Sequence, residues 1–156
     1  MKRPLVIAAI AVFLCVFGVL AYTYMQSLVV SSNPSGEYAP VHTIHIGGMD
    51  VHVTIAQTES ERERGLGGRI GLKSDEGMLF VFPKDGLYAF WMKDMRFAID
   101  IIWISAKGVV VHVAENVSPD TYPASFGTQS PARYVLEVPA GFVDAHGIKL
   151  GDIVGL

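Results

Sequence analysis

The alternation of apolar and polar positions divides this chain into two unlike regions. From Pro4 to Gly36 there is no charged residue, and Leu5 to Met25 is almost continuously apolar. About 20 residues at 1.5 Å rise span a hydrocarbon core of about 30 Å, so residues 5–25 are predicted as a transmembrane helix. Tyr22 and Tyr24 fall at its outer end, where amphipathic rings favour the interface. The alternative is an export signal, but the run exceeds a usual signal core and no A-x-A cleavage pattern follows it. Lys2 and Arg3 precede the run, which places residues 1–4 in the cytoplasm and the rest outside. Residues 26–40, rich in Ser, Pro and Gly, read as a flexible linker.

Beyond the linker the period shortens to two. Val41–Ile46 and Met49–Ala56 flank Gly47-Gly48, the signature of a tight hairpin. Pairing across that turn puts His42, Ile44, Ile46, Met49, Val51 and Val53 on one face, and Thr43, His45, Asp50 and His52 on the other. Thr58-Glu59-Ser60-Glu61 then fits a capping box opening a short helix, with Arg62 and Arg64 toward its end and Gly65, Gly67 and Gly68 stopping it. The Gly65–Gly71 run fails the phosphate-loop pattern and follows a helix instead of a strand. Strands are predicted at Met78–Phe82, ended by Pro83, and at Tyr88–Met92. A second hairpin joins Phe97–Ile104 to Val109–Val117 around Ser105–Gly108. Ser118–Ala132 reads as a long irregular loop, and Tyr134–Val138 as a strand. Ala140–His146 is expected to be a short helix and Asp152–Leu156 a terminal strand. The expected fold of residues 41–156 is mainly β (α+β), a small antiparallel sandwich or barrel with one or two short helices.

Chemistry narrows the choices. The chain has one cysteine, Cys15, inside the apolar run, so the exported domain has neither a disulfide nor a thiolate. A net charge of −3 gives no basic footprint for nucleic acid. His45, Asp50 and His52 share a polar face but lack the further ligands a metal needs, and no cofactor motif is present.

Two acids stand out. Asp100 interrupts an otherwise apolar strand, and a buried carboxylate is costly unless paired. Its candidate partners are Lys93, Arg96, Arg64 and Arg133, and it reads either as a structural ion pair or as a site residue. Glu137 poses the same question, although alternation offers it a solvent face. Together the two could form an acid/base pair on a glycosidic bond. Phe90-Trp91-Met92-Lys93 sets Trp91 and Lys93 on one face, suited to a sugar ring or an anionic ligand, or else to the rim of a core.

The segments Thr58–Leu66, Gly77–Pro83, Phe90–Asp100, Ala132–Gly141 and Gly147–Val154 together resemble the domain of unknown function 192 family, across essentially the whole exported region. The resemblance implies a compact β-rich fold, usually exported or membrane-tethered, and brings no activity with it. Its patterned positions match here at Arg64, Met78, Phe90, Trp91, Met92, Lys93, Asp100, Glu137 and Asp152. This chain departs at Gly67, where Met is common, at Asp94 and Met95, where Asn and Thr are common, and at Ala98 in place of Pro. The expected function is a single-pass, extracytoplasmic binding or accessory domain for an envelope glycan or envelope protein. Its ligand site would gather Trp91, Lys93, Asp100 and Arg64. The alternatives are a small glycan hydrolase using Asp100 and Glu137, and a purely structural protein.

Overall fold

A computed structural model describes residues 42–156. The expected membrane segment and linker lie outside the described residues. Among the described residues no helix is long and apolar enough to cross a membrane.

The first hairpin forms as its pattern predicts. Strands β1 (His42–Ile46) and β2 (Met49–Ala56) pair antiparallel with Ile44 opposite Val51. Gly47 and Gly48 have φ of 58° and 77°, the left-handed pair that a two-residue turn matched to strand twist requires. Ile44, Ile46, Val51 and Val53 are buried, while Thr43, His45, Asp50 and His52 face solvent.

The next step departs from an all-antiparallel plan. After β2 the chain passes through helix α1 (Glu59–Arg64) and a glycine-rich loop, then returns as β3 (Glu76–Gly86) parallel to β2. A parallel neighbour needs such a crossover, and the glycine run after α1 supplies its length. The expected antiparallel sandwich or barrel is therefore corrected to a mixed sheet. β3 also outruns its expected end. It continues through Pro83 with a register shift between Val81 and Gly86, where the missing proline N–H is accommodated.

Strands β4 (Ala89–Trp91), β5 (Ile99–Ile104), β6 (Val110–Val117), β7 (Ser125–Gly127) and β8 (Ala132–Pro139) follow, then helix α2 (Phe142–Ala145). A six-stranded sheet runs β1-β2-β3-β8-β5-β6, and β4 pairs with β7 in a separate ribbon. The expected irregular loop 118–132 thus contains β7 and a 3-10 turn at Pro119–Thr121. The expected terminal strand is reduced to two isolated bridges, Val109 to Ile153 and His45 to Gly155. These touch both edges of the sheet without closing it into a barrel.

Both faces of the sheet are covered. One core gathers Ile44, Val51, Leu79, Ile102, Leu136, Phe142 and Val154. The other gathers Leu66, Met78, Phe80, Met92, Ile101, Trp103 and Val135. Strands β5 and β8, with neighbours on both sides and cores on both faces, have no solvent face along most of their length.

Candidate functional site

The two acids marked by the sequence part company here. Ile101 of β5 stands opposite Glu137 of β8, and Asp100 opposite Val138. Side chains of paired residues share a face, so Asp100 joins Val138 in the first core and Glu137 joins Ile101 and Met78 in the second. The carboxylates cannot flank one bond, so the alternative of a hydrolase using Asp100 and Glu137 as its pair is not assembled.

Asp100 is fully buried, and its partners are backbone amides, not the expected Lys93, Arg96, Arg64 or Arg133. Oδ1 accepts from the Asn116 N–H at 2.8 Å, and Oδ2 from the Val143 N–H at 2.9 Å. Asn116 lies in the stretch where β5 and β6 slip register, with φ of 50°. Val143 is the second residue of α2, whose own N-cap, Gly141, has no side chain to offer. Asp100 thus supplies from a neighbouring strand the acceptor that a Ser or Asp cap would normally provide. The sequence cannot name these partners, because a backbone amide has no letter.

Glu137 lies on the other side of the sheet, only 5% exposed, and lines a cavity of about 550 Å³. Among the described residues neither a cation nor a hydrogen-bond donor reaches its carboxyl. Burial alone pushes its pKa up to about 8, so the carboxyl is largely protonated near neutrality. Alternation had offered this residue a solvent face, but β8 is covered on both sides.

The cavity lies between α1, β3 and the segment around β4. Phe80 and Phe82, two apart on β3, form one wall, and Tyr88, Phe90 and Trp91 form another. Phe90 meets Phe80 edge-on at 4.8 Å between centroids, and Phe82 stacks on Tyr88 at 3.5 Å. Tyr88 is held from both ends: its hydroxyl donates to the Lys84 carbonyl, and its carbonyl accepts from Trp103 Nε1. Leu66 and Met95 add apolar surface.

Helix α1 forms a charged margin with Glu59, Arg62, Glu63 and Arg64. Its capping box is complete, with the Glu61 N–H donating to Thr58 Oγ1 and the Thr58 N–H donating to Glu61 Oε2. The Thr58 N–H, and the Gln57 N–H on the same oxygen, hold the Glu61 carboxyl below the usual range. Arg62 fastens the helix to β3. It donates to the carbonyls of Gln57 and Val81, and its guanidinium sits 5.2 Å from the Phe82 ring centroid.

Across from α1, Trp91 is 54% exposed with its ring against Tyr122 at 6.1 Å, and Lys93 is exposed beyond it. Met92 between them is buried, as alternation predicts. Among the described residues the Lys93 ammonium makes no ion pair or hydrogen bond. The cavity therefore brings together Trp91, Lys93, Arg64 and Glu137, and leaves Asp100 outside. Sequence reasoning missed the aromatic walls and Arg62; the i, i+2 spacing of Phe80 and Phe82 was the available signal.

The lip beside Lys93 is tied by the Gly68 N–H donating to the Asp94 carbonyl at 3.0 Å. A Cβ on Gly67 would stand 2.9 Å from the Arg64 carbonyl, so a side chain here would force the loop to move. Asp94 has φ of 59°, a conformation that Asn and Asp tolerate best after glycine. Gly67, Asp94 and Met95 are thus neighbours at one lip.

Among the described residues no group of three or more His, Cys, Asp or Glu is placed to hold a metal ion. His45 Nδ1 meets Asp50 at 3.0 Å and His52 Nδ1 meets the Thr43 hydroxyl at 3.2 Å, both on the exposed hairpin face.

The model of the DUF192 family, described as an uncharacterized ACR, matches residues 42–156. No curated protein matches the chain. Two of the solved structures that it resembles are these. One is a protein of unknown function from Novosphingobium aromaticivorans, 28% identical, covering 74% of this chain and 85% of its own, with a TM-score of 0.70. The other, from Sinorhizobium meliloti, is provisionally described as a transcription regulator. It is 29% identical and covers 76% of this chain and 96% of its own, with a TM-score of 0.68.

Proposed function

This chain belongs to the DUF192 family, and from that premise we propose that it is a membrane-anchored, extracytoplasmic binding domain that takes an envelope glycan into the cavity between α1, β3 and β4. The observation that carries the reading is the convergence on one cavity of a half-exposed Trp91, an unpaired Lys93 and the buried acid Glu137. A volume of about 550 Å³ suits a small ligand, since pockets of roughly 300–1,000 Å³ are usual for such molecules. An exposed indole face offers the apolar platform on which a pyranose ring stacks, and Lys93 offers a charge to any acidic substituent.

Binding is favoured over hydrolysis because Asp100 and Glu137 face opposite sides of the sheet, leaving Glu137 without a second carboxylate of that pair. Anchoring rests on the apolar run Leu5–Met25 and the charges before it. The regulator description belongs to the Sinorhizobium protein; in this chain a net charge of −3 gives no field that would gather nucleic acid.

The test is calorimetric titration of the full chain in detergent micelles with neutral and acidic saccharides. Saturable binding is expected, weakened about tenfold or more in Trp91→Ala through the lost stacking surface. Absence of binding across the series, or binding indifferent to Trp91, removes the reading.

A further inference from the structure

Resting on that reading, we propose that Glu137 acts as a neutral carboxylic acid at the floor of the cavity, donating its proton in a hydrogen bond to the carbonyl oxygen of an N-acyl group on the bound sugar.

The geometry argues this from three sides. First, Glu137 is a polar side chain held in the middle of the sheet, between Met78 of β3 and Ile101 of β5, and it lines the cavity. Its carboxyl has no protein partner among the described residues and opens onto the cavity, where a ligand can meet it. Second, the groups around it do nothing to stabilise its charge. Met78 and Phe80 on β3 and Ile99 and Ile101 on β5 are apolar. The charged and titratable residues of the cavity are Glu59, Arg62, Glu63 and Arg64 on α1, Tyr88 before β4 and Lys93 after it, and burial is the one influence on the Glu137 carboxyl. Ionisation there has no compensation, whereas the neutral acid keeps one O–H donor. Third, the surfaces that meet beside it are apolar and aromatic, Phe80, Phe90 and Leu66 among them.

An acetamido group matches that combination. Its methyl needs apolar contact, its carbonyl needs one donor, and the sugar ring behind it needs a platform, which Trp91 provides at the mouth. A free amine fits less well. An ammonium offers no acceptor for the Glu137 O–H and would lose its hydration among the aromatic walls. Donation from Glu137 involves no covalent step, so the bound sugar leaves unchanged.

The experiment is calorimetry of the full chain with N,N′-diacetylchitobiose, against cellobiose and chitobiose lacking the acetyl groups, at pH 6.5 and 9.5. The acetylated disaccharide is expected to bind, and to lose affinity by tenfold or more at the higher pH as Glu137 ionises. Glu137→Gln retains an N–H donor, so it is expected to keep binding and abolish the pH dependence; Glu137→Leu is expected to lose binding while remaining folded. Stronger binding of the amino disaccharide overturns the proposal, as does loss of binding in a folded Glu137→Gln. Equal, pH-independent binding of cellobiose through Trp91 overturns it too, while leaving the glycan-binding reading intact. No binding of any of these disaccharides overturns it as well, and overturns the glycan-binding reading too if acidic saccharides also fail to bind.

Discussion

Asp100 and Glu137 project from adjacent strands into opposite cores, with Val138 facing the first and Ile101 the second. Two acids that look alike in the sequence have thereby been given different chemistry. Asp100 has a backbone N–H on each oxygen, and Glu137 has none. The first holds the fold together, and the second strains it beside a cavity.

Asp100→Ala is expected to cost roughly 3 kcal/mol or more, since hydrogen bonds to a charged group contribute about 1.5–3 kcal/mol each and two amides lose their acceptor. Urea unfolding measures this. The loss should appear as a lower midpoint, with saccharide binding by the remaining folded protein unchanged. A ligand affinity that falls with no stability loss would instead place Asp100 in the site.

Stability should decline with rising pH because of Glu137. The unfolded chain releases this proton near 4.5, while the folded chain holds it to about 8. Between those values the folded state binds more protons, so its stability falls by up to about 1.4 kcal/mol per pH unit. The group's contribution is fullest below the unfolded value and is lost as pH passes through the folded one. Denaturation midpoints of wild type and Glu137→Gln at pH 5, 7 and 9 should diverge, with the variant the flatter of the two.

Gly77→Ala should be destabilising by about 1–3 kcal/mol, the usual cost of overpacking. A Cβ at that position would lie 2.8 Å from the Glu137 carbonyl and 3.3 Å from the side chains of Leu136 and Val138, so β3 and β8 must part. Because this pair of strands carries both Phe80 and Glu137, the same substitution should also weaken binding. Thermal unfolding and titration together check it.

Thr58→Ala removes one half of the capping box on a six-residue helix, which has little hydrogen bonding of its own to spare. A loss of about 1 kcal/mol is expected, together with faster exchange of the Glu61 amide. Since α1 forms one margin of the cavity, binding should weaken through disorder of Arg62 and its neighbours, with the floor untouched.

What could be read from the letters depended on where partners came from. The first hairpin, the capping box and the Ser105–Gly108 turn are local, so spacing and residue type were enough. Trp91 and Lys93 were legible because β4 keeps one exposed face. Parallel pairing of β2 with β3 was hidden, because α1 is too short for its crossover role to show in a helical period. The passage of β3 through Pro83 depends on a register shift against β8 that is set by tertiary pairing. Alternation misleads at Glu137 because it implies a wet face only when one side of a sheet is open, and β8 is covered on both. Asp100 was marked for the right reason, an acid among apolar neighbours, but its partners are amides of β6 and α2 that no pattern reveals.

The two bridges near the C-terminus carry a consequence for how the domain is made. The outer edge of β1 exchanges both backbone hydrogen bonds of His45 with Gly155, and the neighbouring Val154 N–H donates to the Gly108 carbonyl. A chain synthesised from its N-terminus must therefore leave the edge of β1 open until residues 153–155 arrive. Breaking the pairing of residues 153–155 would expose two unpaired strand edges at once, a template for pairing with other chains. The segment is a short latch, and its loss should show first as aggregation during biosynthesis.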